Sequence, residues 1–528
     1  MSAIIILIYS VICRFLTSLY SIRFNKVLME VDGACFYDIG KAIVDGKILY
    51  KEVFDHKAPY IYFINALGSL IDYNHFGLFI IEILVLFFSI YYTYKILKLL
   101  FKNNMYQAAE EFSLIGAFFM SVLLTLREIS FGYSRTEAFA VAFFIPAFYI
   151  FLKFIVIRNN LEDIKSKIFI IGILAGLSFM ANIKAIALFA PFAISILILL
   201  IQNKKYKLIL WTFIIGLSGV IVSILPYVIY MLWTNSFEDM IYAVVNTNIA
   251  YAGSKISMSL MKNSGEILYY NSDEGIIATI IAFTQMEPLV MALIYISFIL
   301  IFVAKYNKYL KLTLCLQVII AFLYIMLSGR IQTYYLYIMM PFVISIYVLI
   351  VDRVQVIFKN KNLLEFLNKR NKVITTVFVI IVTLLLSFLN NSRYLYAANH
   401  NYVARAKKIN DIVDNYKSNI IERDLKVLGL GFIPEIYVYL DAKINYKHFI
   451  VPSVSYEKDK TAYTAQYNYL SKLDPDIVVI QESQSLYGFP NSLKRQITAV
   501  INEHYLLIGE VLTNANTGSY YVYGKKIK

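Results

Sequence analysis

The stretch from Glu30 to Tyr62, EVDGACFYDIGKAIVDGKILYKEVFDHKAPYIY, is the least apolar part of an otherwise hydrophobic N-terminal half. It follows directly on the first hydrophobic segment. Its ionisable side chains include Glu30, Asp32, Asp38, Asp45, Asp55, His56 and Lys57. Ionisable groups this close to lipid are costly unless they are paired, hydrated or used. The stretch is therefore the candidate functional region, and we expect the remaining segments to form the helical scaffold that holds it at a membrane surface.

The composition is that of a membrane protein. Of the 528 residues, 59% are hydrophobic and 16% are charged, whereas a soluble domain is nearer to half apolar and a quarter charged. The net charge of +14 would suggest nucleic acid only if it formed a basic face on a soluble domain. Here the cations lie mainly in short loops between apolar runs, where they set topology. We expect a polytopic α-helical protein in the inner or plasma membrane, with no nucleic-acid partner.

Eleven hydrophobic segments approach the length of about 20 residues that a membrane span requires. They are 3–22, 76–101, 111–126, 137–157, 167–181, 185–202, 207–232, 287–304, 311–328, 335–352 and 373–390. The first segment carries Arg14 and is followed by no clear small-residue cleavage site, so we interpret it as a retained span rather than a signal peptide. Asn182-Ile183-Lys184 is a candidate break within one bent pair.

The distribution of lysine and arginine predicts the orientation of the chain. The loops at 95–102, 153–167, 204–207, 305–311 and 353–372 are basic, whereas the opposite short loops hold only Arg127, Arg135, Lys184 and Arg330. The positive-inside rule then predicts a cytoplasmic N-terminus. It places the first loop (23–75), a long loop (233–286) and the tail outside. The cations of the first loop depart from the rule, and an anionic ligand of that loop would explain them.

The tail differs in composition from the rest, so we predict a domain boundary that separates 1–390 from 391–528. Its apolar runs at 427–430, 477–480, 505–512 and 520–523 are too short to span a membrane, and helix-compatible stretches lie between them. This alternation predicts a small α/β domain. The piece VLGLGFIPEIYVYL predicts a strand, a glycine turn and a helix. Because the rest of a nucleotide-binding fingerprint is absent, a tight turn is the preferred interpretation.

The polar stretch also has a family resemblance. Asp32 is followed by Gly46, Tyr50 and the run Lys57-Ala58-Pro59, after which the chain becomes apolar again. This pattern resembles the GT-C superfamily of polyprenol-phosphate-sugar-dependent glycosyltransferases, which includes the protein O-mannosyltransferases and the lipid A aminoarabinose transferases. Members carry an essential acidic residue just after the first span, then a spaced Gly and Tyr, then a Lys-Pro or Lys-x-Pro element. The resemblance implies a GT-C-like helical fold over approximately 3–390.

Two later motifs extend the resemblance. GYSRTEAFAVAFF places Glu137 at the outer mouth of a span, where many bacterial members have an acidic residue. GRIQTYYLYIMMPF carries Arg330, Tyr334 and Tyr335 and resembles the late aromatic-rich element of these enzymes. The tail is similar to the soluble outer domains that are appended to many members.

The implied reaction is transfer of a sugar from a polyprenyl-phosphate donor to a hydroxyl of a glycan, lipid or protein. The polyprenyl tail stays in the leaflet because each buried methylene contributes about 0.8 kcal/mol. The leaving group is a phosphate monoester with a second pKa near 6, so it departs without a general acid. The protein must then supply a base for the acceptor hydroxyl and cations that bind the phosphate.

Each of these roles has candidate residues. We expect Asp32 to be the general base of an inverting displacement and Glu137 to be a second catalytic acid. The phosphate-binding candidates are Lys57, Arg330 and His56, through charge-assisted contacts. The candidates for the substrate cavity are Tyr37, Tyr50, Tyr334 and Tyr335. The long loop 233–286 is a candidate lid that would exclude water.

Each assignment has a plainer alternative. Asp32 is also a suitable helix cap, and Glu137 a first-turn acid that complements a helix dipole. Lys57 could snorkel to the headgroups, and Arg330 could anchor a span end. Tyr334 and Tyr335 also fit an interfacial aromatic belt. Glu82, inside the second segment, has no partner that the sequence identifies.

No metal or cofactor is expected, because the five histidines are scattered and the three cysteines have no ligand spacing. Two other functions compete with the enzyme. A flippase of lipid-linked sugar would place its ionisable groups near the bilayer midplane and often shows inverted repeats, whereas the acids here gather in a loop. A non-catalytic envelope-assembly protein would act through its tail and tolerate Asp32→Asn.

Overall fold

The computed structural model describes residues 2–21, 31–102, 109–157, 164–252, 258–261, 267–270, 275–304, 306–326, 331–358, 369–417, 425–482, 486, 488–512 and 519–526. The chain forms two compact units. The first contains Met1–Ser18, Ile81–Tyr227 and Ser257–Arg393, and the second contains Leu19–Ile80, Val228–Ile256 and Tyr394–Lys528.

The described chain is mostly helical. The first half contains α1 (Ser2–Thr17), α2 (Val31–Val44), α3 (Tyr60–Ile71), α4 (Phe76–Lys102), α5 (Ala109–Leu124), α6 (Arg127–Ser130), α7 (Thr136–Ile157), α8 (Ile164–Ala181), a 3₁₀ helix (Ile183–Phe189), α9 (Ala190–Gln202), α10 (Tyr206–Trp233), α11 (Phe237–Ile241), a π turn (Tyr242–Asn246) and α12 (Thr247–Ala252). The second half contains β1 (Met258–Met261), β2 (Ile267–Tyr270), α13 (Gly275–Met286), α14 (Pro288–Val303), α15 (Lys308–Met326), a 3₁₀ helix (Thr333–Met339), α16 (Met340–Phe358), α17 (Lys369–Lys417), β3 (Val427–Gly429), α18 (Glu435–Tyr439), α19 (Thr461–Ser471), β4 (Ile477–Gln481), α20 (Asn491–His504), β5 (Tyr505–Val511) and β6 (Tyr520–Lys525).

The length and composition of the helices make this a multi-pass membrane protein. Within the described residues, eight helices are long and apolar enough to cross a bilayer, or nine if the bent pair α13–α14 is one span. These nine cover nine of the eleven predicted segments. The other two are α1 and α5, which are helices of only 16 residues and so fall short of the expected length. The predicted break at Asn182 is confirmed, since α8 ends at Ala181 and a 3₁₀ helix follows.

Close helix packing in the first unit depends on glycine. A Cβ added at Gly172 of α8 would lie 2.2 Å from the carbonyl oxygen of Gly216, and one at Gly219 of α10 would lie 2.3 Å from that of Phe169. A Cβ at Gly176 would meet the Ser223 hydroxyl at 1.9 Å. Small residues allow helix backbones to approach closely in a membrane, where packing replaces the hydrophobic effect as the driving force. The α8–α10 contact is such an interface.

The first loop of the second unit is a helical hairpin. Gly40 of α2 packs so closely on α3 that an added Cβ would lie 2.7 Å from Asn65. Gly46 ends α2 with a φ of 89°, and the next amide, that of Lys47, donates to the carbonyl of Ala42. This is the left-handed glycine cap that commonly terminates helices. The cap turns the chain into the segment 47–59 that carries the candidate site.

The tail forms the predicted small α/β structure, and the predicted fold class is confirmed. Its four strands have the order β3-β4-β6-β5, with β3 parallel to β4 and the other pairs antiparallel. The predicted glycine turn follows β3, and the side chain of Gln466 accepts a hydrogen bond of 2.8 Å from the Gly431 amide. A buried side chain therefore holds the turn closed, as expected for a structural strand-to-helix connection.

The predicted boundary at 390 lies inside one continuous helix. Helix α17 has 49 residues and is about 70 Å long at 1.5 Å per residue. It passes from the first unit into the second between Arg393 and Tyr394. In the second unit, Arg405 of α17 donates to the Tyr520 hydroxyl, which in turn donates to Glu435 at 2.8 Å. This buried chain of contacts ties the helix to the sheet.

Candidate functional site

The run Asp55-His56-Lys57 forms a chain of polar contacts in the second unit. The Lys57 ammonium lies 2.9 Å from Nε2 of His56, and Nδ1 of the same ring lies 2.9 Å from a carboxylate oxygen of Asp55. The other Asp55 oxygen accepts a 2.6 Å hydrogen bond from the Tyr62 hydroxyl. Asp55 and His56 are buried, with 3% and 5% of their surface exposed, whereas Lys57 is half-buried. The buried Asp55–His56 pair therefore positions the Lys57 ammonium, which remains accessible to solvent.

The charges in this chain follow from burial and proximity. Burial alone would raise the pKa of the Asp55 carboxyl, but His56, Lys57 and the Tyr62 hydroxyl outweigh it and hold that pKa well below its usual range. Burial lowers the pKa of His56, the Lys57 charge lowers it further, and Asp55 opposes both. The ring is thus neutral at pH 7. Its Nε2 accepts from the ammonium, which leaves the ring proton on Nδ1, facing Asp55.

Backbone contacts fix the same segment. The Tyr50 hydroxyl donates to the Lys57 carbonyl at 2.7 Å, and the Lys57 amide donates to the Tyr62 hydroxyl at 3.1 Å. Asn248 of α12 donates to the His56 carbonyl at 2.7 Å, and the ring of Tyr251 stacks on His56 at 5.2 Å. Lys57 is therefore positioned by both its backbone and its side chain.

Asp32 lies in the first turn of α2 and is half-buried. Its carboxylate and the Lys57 ammonium both act electrostatically on the His56 ring and on the Cys35 thiol, so the two charges share one neighbourhood. The structure thus brings together three predicted site residues, Asp32, His56 and Lys57. Because α2 already includes Val31, Asp32 lies inside the helix and is not its N-cap.

The two tyrosines predicted for the cavity in this unit are buried. Tyr50 has none of its surface exposed, and Tyr37 has 2%. Tyr37 donates to the carbonyl of Tyr73 and packs edge-on against His75 at 5.0 Å. Burial raises the pKa of the Tyr37 hydroxyl well above its usual value. Both hydroxyls are thus held by backbone carbonyls, and their role as substrate contacts stays a prediction.

Glu137 lies at a helix break in the first unit. Its carboxylate accepts hydrogen bonds from Thr136 at 2.9 Å and from the side-chain amide of Asn182 at 3.0 Å. Tyr324 in turn donates to the Asn182 oxygen at 3.2 Å. Glu137 is 3% exposed and in the first turn of α7, where an acid also complements the helix dipole. The arrangement is compatible with both interpretations of Glu137, as a second catalytic acid and as a first-turn acid that complements the helix dipole.

Aromatic rings surround a cation next to Glu137. The Arg135 guanidinium lies 4.2 Å from the ring centre of Tyr334 and 4.6 Å from that of Phe131. Tyr335 packs edge-on against Tyr334 at 4.8 Å. Contacts of this kind stabilise a desolvated cation. Arg330, the remaining predicted phosphate ligand, lies outside the described residues.

Sequence reasoning missed the partners of Glu82. Its carboxylate accepts from the Ser18 hydroxyl and from the Ser134 amide, the latter at 2.6 Å. Arg14 donates to the Ser134 hydroxyl at 3.3 Å and acts electrostatically on Glu82. Both charged residues are buried, with 2% and 1% exposed. Arg14 and Glu82 thereby hold the turn that leads to Arg135 and Glu137.

No group of three or more His, Cys, Asp or Glu side chains in the described part of the chain is arranged to hold a metal ion. The described residues therefore offer no metal centre to the candidate site, and the expected absence of a metal stays a prediction.

Comparisons with known proteins identify the fold. No family model matches the sequence, and no curated protein matches it. Among solved structures, the chain is similar to ArnT from Cupriavidus metallidurans bound to undecaprenyl phosphate, at a TM-score of 0.60 and 10% identity, over 98% of this chain and 97% of that chain. The apo form of the same protein gives a TM-score of 0.56, with the same identity and coverage. At this identity the likeness concerns the fold alone, and this chain has the fold of ArnT.

Proposed function

We propose that this protein is a membrane glycosyltransferase that moves a sugar from a polyprenyl-phosphate donor to a hydroxyl acceptor on the extracytoplasmic face. The observation that carries the proposal is the Lys57 ammonium, held on the buried His56–Asp55 pair in the same loop as Asp32. A fixed cation and a half-buried carboxylate that act on the same neighbouring groups supply what transfer from a lipid phosphate requires: charge for the phosphate and a base for the acceptor.

The reaction is a single displacement at the anomeric carbon. The acceptor oxygen attacks that carbon and forms the new glycosidic bond, while its proton passes to the Asp32 carboxylate. The bond from the anomeric carbon to the phosphate oxygen breaks on the opposite face, and its electron pair leaves with the polyprenyl phosphate. The anomeric centre is thereby inverted. Lys57 stabilises the phosphate as its negative charge increases, and no general acid is needed because a phosphate monoester is a weak base.

The other predicted residues have subsidiary roles in this proposal. His56 acts through Lys57, since its ring is buried and both of its nitrogens face neighbouring side chains. Glu137 is the second acid, Arg330 the second phosphate ligand, and Tyr334 and Tyr335 contact the substrate. The segment 233–286 is the proposed lid, whose closure would keep water from hydrolysing the donor. The acceptor is a glycan, lipid or protein hydroxyl.

The similarity in fold to ArnT supports the proposal that the donor is lipid-linked. The similar ArnT structure is described as bound to undecaprenyl phosphate, which is the carrier that remains after a sugar has left. The orientation proposed from the positive-inside rule places the loop 23–75 and the tail outside the cytoplasm. Nucleotide sugars are cytoplasmic substrates, so a lipid-carried donor is the one available there.

The test is consumption of a donor by the purified protein in lipid nanodiscs. A panel of radiolabelled undecaprenyl-phosphate sugars is incubated with wild type and with Lys57→Met in the presence of a mixed envelope extract that supplies hydroxyl acceptors, and both the released undecaprenyl phosphate and the labelled product are measured. We expect wild type to release it from at least one donor, and Lys57→Met to need a higher donor concentration. If no donor is consumed while the protein moves labelled donors across liposome membranes, the transferase proposal is wrong and a flippase is indicated.

A further inference from the structure

A polar cleft in the second unit is lined in part by α2, the helix that carries Asp32. It has a volume of about 220 Å³ and is lined by Asp38, Lys41, Ala42, Asp45, Lys47, Tyr73, Asp441, Ala442, Lys443, Ile444 and Asn445. One wall is the C-terminal half of α2, and the other is the segment that follows α18. Asp38 and Asp32 are both on α2, separated by about 9 Å along the helix axis at 1.5 Å per residue.

Asp38 is the feature that requires an explanation. It is 5% exposed, and its Oδ2 atom has no hydrogen-bond partner among the described residues. Burial, opposed only by Lys41, raises the pKa of this carboxyl well above its usual range. A buried polar atom without a partner costs about 1–3 kcal/mol, and native structures contain few of them. A ligand in the cleft that Asp38 lines would remove this cost.

The lining chemistry limits the kind of ligand. The walls carry three aspartates and three lysines, so acidic and basic side chains are equally represented around the cleft. Lys41 already pairs with Asp441 at 2.7 Å, and the Tyr73 hydroxyl already donates to Asp45. The aspartates would repel an anion, and the lysines would repel a metal ion. A ligand with several hydroxyl groups fits better, because each hydroxyl both donates and accepts and can use carboxylates and ammonium groups together.

The size of the cleft limits the ligand further. Pockets for drug-sized molecules have volumes of about 300–1,000 Å³. A cleft of about 220 Å³ holds a smaller body, such as one sugar ring. The exposed residues Asp441, Lys443 and Asn445 leave its outer side open, so a longer glycan could continue into solvent.

We propose that this cleft binds one sugar residue of a saccharide acceptor, with Asp38 hydrogen-bonded to a sugar hydroxyl and with Lys41, Lys443 and Asn445 around the ring. The proposal rests on the proposed function in one respect: it takes the bound saccharide to be the acceptor, and it thereby chooses a glycan over a lipid or protein hydroxyl. Binding in the cleft does not itself depend on any transfer activity.

The test is saccharide binding to the full-length protein in nanodiscs, without donor. Saturation-transfer-difference NMR is recorded with glucose, galactose, mannose and N-acetylglucosamine as probes. The informative variant is Asn445→Trp, which fills the cleft from an exposed position and leaves the buried core unchanged. Asp38→Leu removes the buried carboxyl. Lys472→Trp, at an exposed position elsewhere in the tail, is the matched control.

We expect at least one of the sugars to bind to wild type and to Lys472→Trp. Asn445→Trp should weaken that binding by about tenfold or more, which corresponds to about 1.4 kcal/mol, and Asp38→Leu should do the same if it folds. If none of the four sugars binds to wild type, or if Asn445→Trp binds as well as Lys472→Trp, the cleft proposal is wrong. Donor consumption without sugar binding would reject the cleft alone, whereas sugar binding without donor consumption would reject the transferase and keep the cleft.

Discussion

The Lys57 ammonium lies 2.9 Å from Nε2 of His56, a buried ring that has Asp55 on its other side. A lysine has a long flexible side chain, and fixing it costs up to about 2 kcal/mol of rotamer entropy. The neutral ring fixes the Lys57 side chain before a substrate arrives, because its Nε2 accepts one ammonium hydrogen. The geometry is that of a preorganised cation, and it makes His56 and Asp55 positioning residues for Lys57.

Replacing His56 tests this positioning role. His56→Phe keeps the stacking on Tyr251 but removes the acceptor of Lys57, and a hydrogen bond to a charged group contributes about 1.5–3 kcal/mol. We expect the KM for the donor to rise by roughly tenfold or more, with a smaller change in kcat. His56→Gln, which restores an acceptor and a donor, should recover part of the loss. Equal losses in kcat for both variants, with KM unchanged, would contradict the role.

His448 gives the tail a defined pH dependence. Burial, assisted by Lys447, lowers the pKa of this histidine to about 4, despite the nearby Asp459 and Asp239. In the unfolded chain it titrates near 6.5, so below that pH the unfolded state binds the proton first. Stability from His448 is complete above pH 6.5 and is lost as the pH falls towards 4, by up to about 3 kcal/mol.

The measurement for His448 is thermal unfolding of wild type and His448→Leu between pH 4 and 7. The wild type should lose stability on acidification more steeply than the variant, which has no proton to bind at this position. Parallel curves for the two proteins would show that the histidine is not buried in neutral form against Phe54.

Glycines at the α8–α10 interface provide a matched pair. Gly172→Ala places a methyl group 2.2 Å from a backbone carbonyl, whereas Gly216→Ala meets only a side-chain methyl of Ile168 at 3.2 Å. Overpacking typically costs about 1–3 kcal/mol, and backbone cannot yield as a side chain can. We expect Gly172→Ala to lower the thermal stability in nanodiscs clearly and Gly216→Ala to lower it little. The reverse order would contradict the packing described.

Glu82 should be important for stability even though it lies outside the proposed reaction. Glu82→Ala removes the acceptor of the buried Ser18 hydroxyl and of the Ser134 amide, and a buried polar group left without a partner costs about 1–3 kcal/mol. Glu82→Gln keeps an acceptor for Ser18 and Ser134 and should be milder. Glu110→Ala removes a half-exposed acid and should cost less than about 1 kcal/mol. Yield and unfolding temperature are the readouts, and equal values for Glu82→Ala and Glu110→Ala would show that the Glu82 hydrogen bonds do not stabilise the fold.

The sequence predicted best those features that depend on neighbouring residues. The four strands of the tail follow from short apolar runs between turn residues, and Asp55, His56 and Lys57 meet because they are adjacent. The end of α17 was harder to predict. A change from apolar to polar composition at Asn391 signals a change of environment, but a polar helix can continue through it, and this one does.

Contacts between distant residues could not be read from the chain. Glu82 meets Ser18 and Ser134, and Lys41 meets Asp441 four hundred positions away. Nothing in the local pattern of either partner identifies the other. Tyr251, which stacks on His56, lies in the segment 233–286 that we predicted to be a lid, but no local pattern identified this tyrosine as a partner of His56. Such partners follow only from the tertiary structure.

The most direct test of the central claim is the single-turnover rate of sugar transfer by Asp32→Asn, with one donor that wild type consumes and saturating acceptor. A matched control is Asp411→Asn, an exposed acid on α17. Loss of a general base reduces a rate by roughly 10²–10⁴-fold. We predict a loss in this range for Asp32→Asn, with donor binding retained and with Asp411→Asn close to wild type. A transfer rate for Asp32→Asn equal to that of wild type would show that Asp32 is not the base.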